Sequence, residues 1–273
     1  MMFFVGYPIF KNIILSLQNV NVFNLVQGEK SFIGVQNYID IFRDEVFVKS
    51  LINTLVFTVG CLVVQFLIGF VLALFFSKKF AASKTLRGIL LVPWMIPITV
   101  TALIFKLLFA TDIGVLNYIL RSLNLISSNI EWLTTPETAM FALICANVWI
   151  GIPFNMILLS TGLTTIPKEL YESAAIDGAT SIQTLFKITL PLLKSTIESV
   201  LILGFIYTFK VYDLVYVMTG GGPVNSTHML STYSYKLSFD MFEYSKGLAV
   251  ANVLLVILMI VGVFYIRTTK EET

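Results

Sequence analysis

Between two long apolar runs the chain reads IPKELYESAAIDGATSIQTLFKITLP, residues 166–191, and its punctuation specifies two short helices joined by a turn. Pro167 suits the first helical position, where its missing N–H costs nothing, and Glu169 in the first turn favours the positive end of the helix dipole. Leu170 and Ala174 fall on one face, as do Tyr171 and Ala175. Ser173, Ala174 and Ala175 are small, so another backbone can approach closely. Gly178 supplies the positive φ that ends a helix. Thr180, with Gln183 three residues on, makes a capping box that opens the second helix. Pro191 closes the unit. The predicted product is a compact two-helix projection, able to carry force from a soluble partner into the apolar segments on either side.

Those segments belong to a membrane. Of 273 residues 57% are hydrophobic and 12% charged, and the mean hydropathy is +0.87. A soluble domain has about 45–50% apolar and about 25% charged residues, so this much apolar surface must face lipid. Apolar windows predict six spans, at about 1–17, 51–76, 86–110, 138–161, 196–219 and 247–266. The last five are long enough to cross a ~30 Å hydrocarbon layer at about 1.5 Å per residue. The first is short and carries Lys11. It lacks a preceding positive charge and a following small-residue cleavage site, so it reads as a membrane helix rather than a signal peptide. Backbone groups in lipid need internal partners, which makes the spans helical. The expected fold is an all-α integral membrane protein of one transmembrane domain, with six transmembrane helices and the projection between helices 4 and 5.

Basic residues set the orientation. Lys78, Lys79, Lys84 and Arg87 follow the second span, Lys168, Lys187 and Lys194 surround the projection, and Arg267 and Lys270 lie in the tail. The opposite loops hold Lys30, Arg43, Lys49, Arg121, Lys236 and Lys246. Nine against six, in shorter segments, puts both termini and the projection in the cytoplasm. Pro93 and Pro97 kink the third span, either as a bend between packed helices or as a gating hinge.

Several chemistries are excluded. The net charge is +2 with no basic tract, which argues against nucleic acid. Cys61 and Cys145 lie inside apolar runs and read as small buried hydrophobes. His228 sits in a polar loop without Cys or His neighbours, so no metal site is expected. No phosphate-cradling G-x-x-x-x-G-K-[ST] run exists, and any ATP must be handled by a partner. No catalytic set converges, so an enzyme is not expected. An autonomous ion-coupled secondary transporter is the alternative class; it calls for repeats and intramembrane carboxylates, and Asp213 is the one serious candidate, Glu198 lying near the inner end of its span.

Two clusters mark a candidate substrate path. Phe205, Phe209, Tyr212 and Tyr216 recur at steps of four, three and four, forming an aromatic stripe suited to sugar rings, to helix packing or, for the outer tyrosines, to an interfacial belt. Lys210 and Asp213 lie three apart on a neighbouring face, as mutual partners or as substrate contacts. In the fourth span Asn147, Gly151 and Asn155 make a small, polar edge, for interhelical packing or for solute. Lys106 can snorkel to the interface and has no assigned role. The glycine turn at residues 220–222 either closes the external end of the path or reverses the chain.

Glu172, Ala174, Gly178, Ile188, Leu190 and Pro191 carry a resemblance. The chain resembles the membrane subunits of binding-protein-dependent ABC importers, whose signature is Glu-Ala-Ala, three residues, Gly, nine residues, Ile, any residue, Leu-Pro. It departs at Ser173, where the family usually has Ala. The stretches FIGVQNYIDIFRD, LLVPWMIPITVTALIFKLLF, NVWIGIPFNMILLSTGL and YDLVYVMTGGGP are similar to the carbohydrate-uptake branch, the last to one of the two paired permeases of maltose-type systems. The resemblance implies a plasma- or inner-membrane permease for a sugar or related polyol. It implies a second permease subunit in a heterodimer, two cytoplasmic ATP-binding subunits using ATP and Mg, and an extracytoplasmic solute-binding protein. This chain would bind no cofactor. Coupling would rest on Glu172, Ser173, Ala174, Asp177, Gly178, Ile188, Leu190 and Pro191, with Glu172 pairing with a basic group of the ATPase and Gly178 permitting the turn. Members of the family usually begin further upstream, so a shortened first helix is expected.

Overall fold

Asp44 opens the longest helix, Glu45–Ser77: its carboxylate accepts the Val46 N–H at 2.8 Å, and Glu45 stands in the first turn. Its 33 residues run about 50 Å, well beyond a ~30 Å hydrocarbon layer. Pro136–Thr165 and Tyr244–Arg267 are likewise long and apolar enough to cross a membrane. All three overrun their expected windows at both ends, because capping residues, not the edge of hydropathy, decide where the hydrogen-bond ladder stops. The computed structural model describes residues 2–28, 30–78 and 80–270. Met1 of the first expected span and Lys79 lie outside the described residues. Among those described, helix dominates, with one isolated bridge between Gln18 and Phe32.

The third and fifth expected spans are not single helices. Ser83–Met95 holds Pro93 inside it, but Ile96 is extended at φ −76° and ψ 134°, and helix resumes at Ile98–Leu108. A residue before proline is pushed out of the α region, so Pro97 breaks the span while Pro93 only bends it. In the fifth, helix Lys194–Phe209 stops, residues 210–212 are non-helical, and Asp213–Met218 follows. The Val211 carbonyl freed by the break accepts the Ser231 hydroxyl.

Met2–Ser16 has 15 residues with Pro8 inside it, about 22 Å of helix. Side chains take up the carbonyls at and just beyond its end: Asn37 Nδ2 donates to Ser16 O and Gln18 O at 2.8 and 2.9 Å, and the Ser245 hydroxyl to Leu15 O at 2.8 Å.

The chain forms two compact units. One comprises Met1–Thr58, Ile98–Ile144 and Phe209–Ile260; the other comprises Val59–Pro97, Cys145–Thr208 and Val261–Thr273. The first buries Ile41, Phe47, Leu143, Leu214 and Leu230, and Asn117, with four hydrogen bonds to Thr111, Ile130 and Trp132, knits one of its loops. The second centres on Ala73, Leu159, Ile166, Leu193 and Val200, where Glu45–Ser77, Pro136–Thr165, Lys194–Phe209 and both roots of the projection meet.

Candidate functional site

The projection has the predicted two arms, each built by local signals. Lys168–Ile176 is the first, with Glu169 in its first turn. Pro167 lies one position outside it, as the N-cap at φ −59° and ψ 135°, since its extended ψ cannot join the helix. Gly178 has φ +73°. Its N–H donates to Ala175 O at 3.2 Å and that of Ala179 to Ala174 O at 2.9 Å, the paired bonds of a Schellman stop. The Thr180–Gln183 capping box closes in both directions, at 3.3 and 2.8 Å. The second arm runs Ser181–Thr184, a π turn Leu185–Thr189, then Leu190–Leu192. Pro191 therefore lies inside the helical run rather than closing it. Having no N–H and a ring that crowds the preceding turn, it is accommodated by a ladder slipped one residue, Leu190 N–H to Leu185 O. The run ends at Leu193, where the next helix departs at 68°.

Two side chains fix the knuckle. Tyr171 packs against the second unit's core, and its hydroxyl lies 3.3 Å from that of Thr189 on the other arm. Ala174 is buried, whereas Leu170, expected on its face, is exposed. Glu172, Ser173, Asp177, Gly178 and Pro191 are exposed; Ile188 and Leu190 are half-buried. Beside the acidic positions stand Ile176, Ile182 and Phe186, at 87, 70 and 64% exposure. Full burial of one such side chain is worth about 1.5–3 kcal/mol, so three left exposed on so short a segment mark surface that a partner could cover.

Elsewhere in the second unit the structure brings together aromatics that sequence spacing does not link. The Phe154 ring lies 6.4 Å from Trp94 and 5.9 Å from Tyr207. Trp94 stands in the last turn before the Pro97 break and Tyr207 in the last turn before residue 210; both are more than half exposed. No periodicity could reveal them, because they come from three different helices. Asn147, one helical turn from Gly151, offers its carbonyl to Gln65 Nε2 at 2.9 Å. Asn155 is buried, donates to Gly151 O at 3.0 Å and packs on Gly69, where an added Cβ would lie 2.5 Å from Asn155 Cβ. That is a helix-packing contact. Phe205 lines an apolar cleft with Leu62, Phe66 and Leu201.

In the first unit Phe209 is fully buried, and the break after it means that the four stripe residues do not share one helical face. Tyr212 and Tyr216 instead stack on each other and meet Tyr235, which the sequence reading missed. Lys210 and Asp213 are both exposed. Lys106 donates to Val217 O at 3.1 Å, capping the negative end of Asp213–Met218. The glycine turn is held by Thr227, whose hydroxyl reaches Thr219 Oγ1 at 2.7 Å and Gly222 O at 2.5 Å. His228 lies in the expected polar loop but is buried there against Gly221; burial, with Lys236 adding to it, pushes the imidazole down to about 4. Among the described residues no group of three or more His, Cys, Asp or Glu side chains is placed to hold a metal ion.

Residues 37–269 match the family model described as binding-protein-dependent transport system inner membrane component. The probable ABC transporter permease protein YurN of Bacillus subtilis is 34% identical over 276 residues, 98% of this chain and 93% of that protein. The trehalose/maltose transport system permease protein MalF of Thermococcus litoralis is 34% identical over 242 residues, 89% of this chain and 81% of that protein. A crystal structure of a bacterial ABC transporter involved in the import of the acidic polysaccharide alginate has the same fold, with a TM-score of 0.83 at 24% identity, over 100% of this chain and 91% of its own. A second, in complex with alginate pentasaccharide-bound periplasmic protein, matches with the same score over 90% of its chain.

Proposed function

Because the chain belongs to the family of binding-protein-dependent transport system inner membrane components, we propose that it forms half of the translocation path of an ATP-driven importer for a sugar or related polyol, with residues 166–191 as its handle for a separate ATPase. It is a multi-pass membrane permease component, and such components transport rather than catalyse. Six spans are counted as one transmembrane domain: the three long helices, the bent pair Ser83–Met95 and Ile98–Leu108, Lys194–Phe209 with the short Asp213–Met218 after its break, and Met2–Ser16. Both termini and the projection face the cytoplasm. Supporting this orientation, Lys78, Lys79, Lys84, Arg87, Lys168, Lys187, Lys194, Arg267 and Lys270 fall in three short segments of the sequence on the same side of the spans, against Lys30, Arg43, Lys49, Arg121, Lys236 and Lys246 in the longer loops opposite. The partners are a second permease, two ATP-binding subunits that use ATP and Mg, and an external solute-binding protein.

The observation that carries this reading is that Ile176, Ile182 and Phe186, with Glu172 and Asp177, are all exposed on a knuckle whose two arms are tied together and rooted in the membrane helices. The ATPase covers the three apolar side chains and a basic group meets Glu172. Force applied there passes through Tyr171 and Leu193 into Glu45–Ser77, Pro136–Thr165 and Lys194–Phe209, because close-packed side chains shift together. Solute meets Trp94, Phe154 and Tyr207, because pyranose rings present C–H faces to aromatic planes. Asn147 lies on the same helix as Phe154 and supplies a polar contact.

Reconstitution with candidate ATPase and binding proteins tests all of this. Neutral sugars or polyols, delivered by the binding protein, are expected to stimulate ATP hydrolysis. Stimulation by another solute class alone, or uptake driven by an ion gradient without ATP, would overturn the reading.

A further inference from the structure

Residues 209–240 carry a second aromatic group that this path does not use. Tyr212 and Tyr216 stack with ring centres 5.2 Å apart and planes 16° from parallel. Tyr235 closes on both, at 5.3 and 5.2 Å, and Phe239 adjoins Tyr235 at 4.9 Å. The four rings come from Asp213–Met218 and its preceding break, and from Leu230–Tyr235 and the π turn after it.

Packing alone would bury these rings. Phe239 is 59% and Tyr216 44% exposed, while Tyr212 and Tyr235 are half-buried. A face set in the hydrocarbon layer or packed against another helix would be apolar at its edge. Here Lys210, Asp213 and Asp240, all exposed, adjoin the rings in the chain, and three of the four rings carry hydroxyls. The backbone beneath is irregular: the π turn Lys236–Asp240 follows Tyr235 directly, and Phe242 is held at φ 57°, unfavourable for an aromatic residue. π turns recur at functional sites, where the widened turn re-aims side chains.

Aromatic planes edged by carboxylates suit one ligand chemistry above others. A sugar ring lays its C–H face on the aromatic surface and donates its rim hydroxyls to acceptors. We propose that Tyr212, Tyr216, Tyr235 and Phe239 form a second carbohydrate station, with Asp213 and Asp240 accepting sugar hydroxyls. The station rests on the sugar reading above.

The test uses the complete importer in proteoliposomes, with its ATPase and binding protein, taking up radiolabelled maltose, trehalose or sorbitol. Tyr235→Ala is expected to lower uptake about five- to tenfold, from the loss of one aromatic contact. Tyr235→Trp is expected to retain uptake, and subunit assembly is expected to be unchanged in both. Tyr207→Ala serves as the separate probe of the main path. If Tyr207→Ala impairs uptake and Tyr235→Ala does not, the station is overturned and the sugar reading stands. Loss of assembly in Tyr235→Ala, or no retention by Trp, makes the cluster structural and also overturns it. Uptake of none of the three solutes by the wild type removes the sugar reading and the station together.

Discussion

The Tyr171 hydroxyl lies 3.3 Å from the Thr189 hydroxyl, joining the two arms of the projection across eighteen residues of chain. Thr189 Oγ1 also lies 3.4 Å from Thr184 O on its own arm. The Tyr171 ring at the same time packs on the second unit's core. Tyr171→Phe keeps the ring and removes one neutral hydrogen bond, at a cost of about 1 kcal/mol. Tyr171→Ala removes the ring contact as well and leaves the knuckle loose on its roots. The expected outcome is that the ATPase still co-purifies with Tyr171→Ala while solute-stimulated ATP hydrolysis falls several-fold, with Tyr171→Phe close to wild type. Equal stimulation in all three would show that force does not travel through this ring.

Gly178 gives a graded prediction. A Cβ added there would meet nothing within 4 Å, so any penalty comes from φ +73° alone. Asn tolerates that region best among non-glycine residues, Ala less well, and β-branched Val worst. Co-purification of the ATPase is therefore expected to fall in the order Gly, Asn, Ala, Val, with membrane insertion unchanged throughout. An undiminished ATPase yield from Gly178→Val would refute docking through this turn.

The projection was legible because its signals are local: a left-handed glycine, a capping box and small residues act within a few positions of where they stand. What was not legible is what depends on distant partners. The fifth span looked continuous because hydropathy does not register a backbone break whose carbonyl is satisfied by Ser231, twenty residues away. The stripe of Phe205, Phe209, Tyr212 and Tyr216 assumed that continuity, and failed with it. Trp94, Phe154 and Tyr207 converge from three helices, and Tyr235 reaches Tyr212 from a loop; neither grouping leaves a period in the sequence. Pro97 gave fair warning, yet Pro93 carries the same composition signal and is absorbed within a helix.

Gly69 and Gly151 should differ in what they tolerate. At Gly69 an added Cβ would sit 2.5 Å from Asn155 Cβ and 3.1 Å from the Met156 backbone nitrogen, neither of which can move without shifting a helix. At Gly151 the obstacle is the Gln65 side-chain amide, which can rotate away at the cost of its bond to Asn147 O. Overpacking of this kind costs about 1–3 kcal/mol. Gly69→Ala is expected to lower the Tm in detergent clearly more than Gly151→Ala does. The reverse ranking would mean that the two helices do not meet through Gly69.

His228 sets a pH dependence whose sign follows from its burial. The imidazole is pushed down to about 4 by desolvation first and Lys236 second, against 6.5 when free. Between those values the unfolded chain binds a proton that the folded chain refuses, so stability falls as pH drops from about 6.5 toward 4. Around the ring, Nδ1 faces the Thr232 hydroxyl at 3.2 Å, and the Tyr233 ring stands 5.9 Å away, its own hydroxyl donated to Asp44. That phenol is itself raised, by burial and by Asp44, and does not titrate in this window. Replacing His228 with Gln keeps a polar side chain beside Thr232 and removes the titration. Tm measured at pH 7 and pH 5 is therefore expected to fall by less in His228→Gln than in wild type, whatever the absolute stability of the variant. An identical fall in both proteins would assign the acid sensitivity to the carboxylates instead.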